Sequence, residues 1–340
     1  MQDNTTTYNF VYTVGVEIEL ILQLIQICLA IYFIVRLRNI SLMHVNLRVI
    51  LCSIPVVYLI MTPVRIYFIV EYLISYFRHT KMESSSFERC LVIRFFYDMA
   101  LTVLAFTIPM IAVERTIATF SSGCYEKKTK PYLGFAIVTV MYCVGIVYSS
   151  VFVWHDYAHN SAAYAQMPSC HLMFTNPGVM FYLAVSCCIG FSCAIALLCF
   201  LYFYNVNKQK QYGCHKLGSR YQYAENVATL KVLVPTVTGY LASLIVSMTL
   251  IALHYFKSAY MVSSDWLYEQ IFNINVVIFI LYFVGMFLCL YAPLKKQFIK
   301  DLEKLFSLPR SQDGPSSSIV NADHTKTTDI YFKQLQSDWK

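Results

Sequence analysis

The chain predicts an all-α membrane protein, a bundle of seven transmembrane helices with its amino terminus outside the cell, on three observations. Its 340 residues are 58% hydrophobic, 16% aromatic and only 13% charged, with a mean hydropathy of +0.54, a composition that no ordinary soluble domain has. Seven apolar stretches reach the ~20 residues a helix needs to cross ~30 Å of hydrocarbon. The Lys and Arg residues stand in short clusters between those stretches and form no continuous basic face. The net charge of +7 therefore reads as a topology signal rather than a footprint for nucleic acid.

Residues 1–15 form an expected extracellular amino-terminal segment. It has no Lys or Arg and no small-residue cleavage site, so the first apolar stretch reads as a retained anchor rather than a cleaved signal peptide. Asn4-Thr5-Thr6 is a glycosylation sequon, which makes Asn4 a candidate acceptor on that side. The spans of the seven-transmembrane domain, residues 16–292, are expected at about 16–35, 49–75, 91–113, 133–154, 179–204, 232–256 and 271–292. These runs lack the apolar-polar alternation of a barrel strand and are about twice its length, and a backbone in lipid has no third option.

Basic residues near span ends orient the bundle, because they are retained on the cytoplasmic side during insertion. With the amino terminus outside, the inner segments hold sixteen, from Arg36, Arg38 and Arg48 to Lys300 and Lys304, and the outer ones four, Arg78, Lys81, Arg89 and Lys257. That asymmetry opposes the inverted arrangement of insect-type odorant channels. After the last span, in residues 293–308, Leu294, Phe298, Leu302, Leu305 and Phe306 share a helical face flanked by Lys295, Lys296, Lys300 and Lys304, the pattern of a helix lying on the inner leaflet. Residues 309–340 are polar and are expected to be a disordered cytoplasmic tail. No internal repeat marks a transporter built from duplicated halves.

Of twelve cysteines, this topology leaves only Cys90 and Cys170 outside. A disulfide between them would tether the loop before the fifth span over the bundle mouth; two free thiols are the alternative. The third span ends in Glu114-Arg115, charges that are costly at a membrane boundary unless they have a partner or a task. Cys90 and Arg115 are 25 residues apart, which is about 37 Å of helix and takes one helix from surface to surface. An outer cysteine followed at that spacing by an arginine preceded by an acid resembles the third helix of rhodopsin-like G-protein-coupled receptors. In that family the arginine helps hold the resting state and contacts the G protein after activation. A snorkelling boundary arginine is the bland alternative.

The third-span exit Glu114-Arg115-Thr116-Ile117-Ala118-Thr119-Phe120, followed by Tyr125-Glu126-Lys127-Lys128, joins a second signature at the foot of the sixth span, Arg220-Tyr221-Gln222-Tyr223-Ala224-Glu225-Asn226. Together they resemble the nematode serpentine chemoreceptors of the Sra superfamily, most closely the Sre class. The resemblance covers roughly residues 16–306. It implies a chemosensory receptor at the plasma membrane of sensory neuron cilia, with a small-molecule ligand, a heterotrimeric G protein and the lipid bilayer as partners, and it leaves room for a homo- or hetero-oligomer. Glu114, Arg115, Arg220, Tyr221, Glu225 and Asn226 are then the switch candidates. A bridge between Arg115 and Glu225 would join two helices that must part to admit a G protein, with Glu114 the competing partner for Arg115. The chain departs from the rhodopsin-like pattern in its seventh span, which ends Cys289-Leu290-Tyr291-Ala292-Pro293 without an Asn-Pro pair, and in having no acid at the middle of the second.

In the outer half, Arg65, Glu71, Arg94 and Asp98 are the charges that lipid tolerates least, so they should face inward or pair. Arg94 and Asp98 are four apart and should bridge each other, with ligand contact the second reading. Arg65, Arg94, Tyr97, Asp98, Tyr240 and Tyr282 are the candidate ligand pocket, with Thr102 and Phe106 as further lining. His155, Asp156 and His159 read as solvated loop residues rather than a metal site. With no Gly-rich phosphate loop and no His-Glu-x-x-His run, neither cofactor, metal nor catalysis is expected. A ligand-gated channel or small-molecule transporter is the rival function.

Overall fold

The computed structural model describes residues 2–40, 43–78, 87–121, 131–159, 177–211, 217–257 and 265–306. These are helical almost throughout, with no strand among the described residues. The helices are α1 (Gln2–Arg38), α2 (Val45–Phe77), α3 (Phe87–Phe120), α4 (Tyr132–His159), α5 (Pro177–Gln211), α6 (Leu217–Lys257), α7 (Asp265–Leu290) and α8 (Ala292–Leu305). Seven of them are long and apolar enough to cross a membrane. The shortest such segment, Leu267–Leu290 with 24 residues, rises about 36 Å, which clears the hydrocarbon core.

The helices overrun the apolar stretches that predict them. Hydropathy marks where lipid begins, whereas the backbone hydrogen-bond ladder continues until a turn residue or proline stops it. Asn4 consequently stands within α1, and α5 and α6 extend at their basic ends to Gln211 and from Leu217. The overrun corrects one reading: His155, Asp156 and His159 lie in the last turns of α4 and not in a loop, and Asp156 is fully buried.

Around the bundle α1 packs on α2 and α7, α7 on α6, and α6 on α5, with α3 against α2, α4 and α5. α3 is the axis: 61% of its apolar window is buried, against 22% for each of α4, α5 and α6. One large core runs through the bundle from Phe33, Leu47 and Ile54 to Ile111, Leu198, Leu233, Phe283 and Phe287. The complementary faces, with Ile21, Val147, Val151, Phe203 and Ile245 exposed, are those a lipid solvent requires. Since hydrocarbon outside matches hydrocarbon inside, packing and interhelical hydrogen bonds hold such a bundle together.

Two glycines show how close that packing is. The Gly134 Cα faces the backbone of Asn46 so closely that a Cβ would overlap it, and the Gly134 N–H donates to Asn46 Oδ1 at 3.0 Å. That contact seats α4 on the start of α2. Gly239 of α6 faces the ring of Tyr282 of α7, where a Cβ would again have no room, and the Tyr282 hydroxyl donates to the carbonyl of Pro235 at 2.9 Å.

α8 follows α7 through Tyr291, with Pro293 in its first turn, where a missing N–H costs nothing. Leu294 is buried, Phe298 meets the Tyr32 ring at 5.7 Å, and Asp301 binds both Arg36 at 2.8 Å and the Tyr32 hydroxyl at 2.7 Å. Leu305 and Phe306 stay exposed at 75% and 64%, an apolar edge turned away from the bundle.

Candidate functional site

Chain direction alternates along the bundle, so Arg38, Arg48, Arg115, Lys208, Lys210 and α8 gather at one end, here called the basic end. At this end α3 carries Glu114 and Arg115, buried at 0% and 1% exposure. Neighbours in sequence do not face each other along a helix, yet the Arg115 guanidinium turns back. Its Nε donates to Glu114 Oε2 at 2.5 Å and a terminal nitrogen to Oε1 at 2.6 Å. Two desolvated opposite charges leave each other little alternative.

The other side of Arg115 reaches across the bundle. A terminal nitrogen donates to Asn226 Oδ1 of α6 at 3.2 Å, Asn226 Nδ2 donates to Asn205 Oδ1 of α5 at 3.3 Å, and Asn205 Nδ2 donates to Thr119 Oγ1 of α3 at 3.1 Å. Gln222 of α6 adds a bond to the Ala118 carbonyl at 3.1 Å. The result is a buried polar ring through α3, α5 and α6, one ion pair continued by neutral amides. α6 leans on α5 far more than on α3, so this ring is much of what joins α6 to the axis.

Glu225, the sequence candidate for bridging to Arg115, takes another partner: its Oε1 accepts from the backbone N–H of His44, ahead of α2, at 2.8 Å. Arg115 thus sits in the competing pairing with Glu114. Arg220 and Tyr221 lie on the first turns of α6, and their side chains fall outside the described residues. Thr119 and Gln222 stand inside the two quoted motifs but were not among the switch candidates, and Asn205 was not named. Their signal was available, since Asn205 is an amide at the lipid-depth end of the fifth span and must be satisfied internally.

At the opposite end charged side chains pair between helices. Arg65 of α2 forks onto Glu19 of α1 at 2.6 and 3.0 Å and reaches Glu269 and Gln270 of α7 at 2.9 and 3.3 Å. Gln270 closes the set by donating to Glu19 Oε2 at 2.7 Å and to the Gly15 carbonyl at 3.0 Å. Arg94 of α3 binds Asp98 at 3.1 Å, as their four-residue spacing predicts, and also Asp156 of α4. Glu19 lay within the first predicted span and was overlooked; Asp156 was read as a solvated loop residue, where the structure buries it against Arg94.

Among the described residues the six pocket candidates have the following neighbours. Arg65 and Tyr97 border a polar cavity of about 10 Å³ among Gln23, Gln26, Thr62 and Asn273, room for one water, and the Tyr97 hydroxyl donates to Asn273 Oδ1 at 2.8 Å. Arg94 and Asp98 belong to the α3–α4 ion cluster. Tyr240 lies between the tilted rings of Phe191 and Phe279, with centroids at 4.9 and 4.0 Å, and Tyr282 fills the Gly239 notch. Thr102 donates to the Asp98 carbonyl at 2.8 Å, and Phe106 is exposed at 39%.

Cys90 is disulfide-bonded; Cys170 lies outside the described residues. Among the described residues no group of three or more His, Cys, Asp or Glu side chains converges to hold a metal.

Comparison with known proteins gives this architecture a family. Residues 2–340 match the family described as "Serpentine type 7TM GPCR receptor class ab chemoreceptor". Over 162 residues the chain is 27% identical to serpentine receptor class alpha/beta-14 of Caenorhabditis elegans, covering 44% of this chain and 39% of that relative. The matched class is ab, where the sequence motifs look most like Sre. A seven-helix bundle with a buried Glu-Arg pair at its basic end, matched along nearly its whole length, thus belongs to the class ab serpentine chemoreceptors.

Proposed function

We propose that this protein is a chemosensory receptor that binds a small molecule at the end of the bundle carrying Arg65 and Arg94, and activates a heterotrimeric G protein at the basic end. The observation that carries this reading is the ring Arg115–Asn226–Asn205–Thr119, which ties α6 to α3 through bonds a short movement can exchange. Parting α6 from α3 would uncover Glu114 and Arg115 to an incoming partner, with binding energy for that partner selecting the open state. Catalysis is left to the G protein.

The basic end is assigned to the cytoplasm and the amino terminus to the outside, supported by the sixteen-to-four distribution of Lys and Arg. The Cys90 disulfide is assigned to Cys170, roofing the outer mouth. Plasma membrane, sensory neuron cilia and association with a second receptor are part of the same proposal.

The test is heterologous expression challenged with volatile and water-soluble compounds, read by cAMP or calcium, for the native chain and for Arg115→Ala. An active compound should give a G-protein-dependent signal that Arg115→Ala abolishes when cells with equal surface expression are compared. A ligand-evoked current that survives removal of every G protein would replace the receptor reading with a channel.

A further inference from the structure

Between α1, α2 and α4, at the basic end, lies a groove of about 570 Å³ facing the surrounding membrane. Its mouth is marked by Arg38 and Arg48, and its walls by Val49, Cys52, Val56 and Phe135 among others. Arg48 is fixed there, since one terminal nitrogen donates to the carbonyls of Arg38 at 3.0 Å and Ile40 at 2.5 Å. Its Nε is buried with no hydrogen-bond partner among the described residues.

Neither arginine makes an ion pair among the described residues. The Asp301 carboxylate nearby is engaged by Arg36 and Tyr32. Two cations therefore stand together at the mouth of this groove.

Depth tells the rest. From Arg48 to Val56 is eight residues, about 12 Å along α2, and from Pro131 to Tyr142 is eleven, about 16 Å along α4. The groove thus runs from the charged boundary roughly the thickness of one hydrocarbon leaflet inward. Its apolar lining is open to the membrane, with Val56 and Phe135 exposed at 38% and 56%. A soluble anion would satisfy the arginines and leave the walls unused. A neutral sterol or acyl chain would use the walls and leave the arginines without a counter-charge. A phospholipid with a net negative headgroup does both.

We propose that this groove is a binding site for one anionic phospholipid, its headgroup on Arg38 and Arg48 and an acyl chain along α2 and α4. Such a lipid would hold α1, α2 and α4 together at the end where α6 is the mobile partner. The site needs only that the basic end lie at a membrane surface, and its test involves neither ligand nor G protein.

Purified receptor in mild detergent is titrated with phosphatidylserine or with phosphatidylcholine, and bound lipids are counted by native mass spectrometry. Phosphatidylserine should be retained about tenfold more strongly. Arg38→Gln, at an exposed position without an ion pair, should cut that preference about fivefold, and Val56→Trp, which fills the floor, should lower retention of both lipids. Lys208→Gln with Lys210→Gln, at the same end but off the groove, should leave it unchanged. Equal retention of the two lipids by the native chain would overturn the site. So would a preference that survives Arg38→Gln, a retention of both lipids that Val56→Trp leaves unaltered, or a preference lost equally in the Lys208→Gln, Lys210→Gln control, which would mean diffuse charge attraction.

Discussion

The two ends of the bundle solve the problem of buried polar groups in opposite ways. Near Arg65 and Arg94 the partners are acidic side chains: Arg65 with Glu19 and Glu269, Arg94 with Asp98 and Asp156. These clusters join α1 to α2 and α7, and α3 to α4. At the basic end the ion pair of Arg115 with Glu114 stays within α3, and its links to α5 and α6 run through the amides of Asn226 and Asn205 and the hydroxyl of Thr119.

The difference matters because the two kinds of contact break at different cost. Removing one member of a buried ion pair strands a charge and costs about 3–5 kcal/mol. An interhelical hydrogen bond in a membrane protein is worth about 0.6 kcal/mol on average. The Arg65 and Arg94 clusters therefore clamp, while the Asn205–Asn226 link can exchange. In the proposed mechanism α1, α2 and α7 serve as the frame and α6 is the helix that parts from α3.

The largest effect should come from the clamp. Arg65→Ala leaves Glu19 and Glu269 facing each other in the core, a loss of about 3–5 kcal/mol, seen as a lower melting temperature and little protein at the cell surface. Glu19→Gln should be milder, because Arg65 then balances Glu269 alone. If Glu19→Gln proved the more damaging, the charge balance drawn for this cluster would be wrong.

Next is the α6–α7 notch. Gly239→Ala pushes a methyl into the Tyr282 ring and should cost about 1–3 kcal/mol, with much of it recovered when Tyr282→Ala opens the space; thermal melts of the single and double variants decide this. A Gly239→Ala receptor as stable as the native chain would show that α6 and α7 are less tightly joined than the geometry indicates. The smallest change in stability belongs to the switch: Asn205→Ala should cost about 1 kcal/mol or less yet raise basal G-protein signalling. A loss of stability comparable with Arg65→Ala would erase the contrast between the ends.

How much of this was legible beforehand depends on what kind of information each residue carries. Seven spans, the amphipathic face of α8 and the Arg94–Asp98 bridge are properties of one stretch of chain, and periodicity and spacing reveal them. The Arg65–Glu19–Glu269 clamp joins residues 46 and 204 positions apart. Nothing local announces such a partnership, although an acid inside the first span was a charge awaiting an explanation. Asp156 was misplaced because an apolar count ended the fourth span at Trp154, one turn before the helix itself ends. Arg115 presents the reverse case: the residue was identified and its partner left open, since choosing between Glu114 and Glu225 depends on where His44 stands.

The most direct test of the contrast is a pair of distances. Spin labels at Phe120→Cys on α3 and Ala228→Cys on α6 report the basic end, and labels at Ile18→Cys on α1 and Ile271→Cys on α7 report the other. All four positions are exposed, and the exposed cysteines Cys28, Cys143, Cys193 and Cys289 are first replaced by serine. Pulsed dipolar spectroscopy with and without nucleotide-free G protein should show the α3–α6 distance lengthening by several ångströms while the α1–α7 distance holds. An unchanged α3–α6 distance, or a lengthening at both ends alike, would contradict a rigid ionic frame carrying a movable α6.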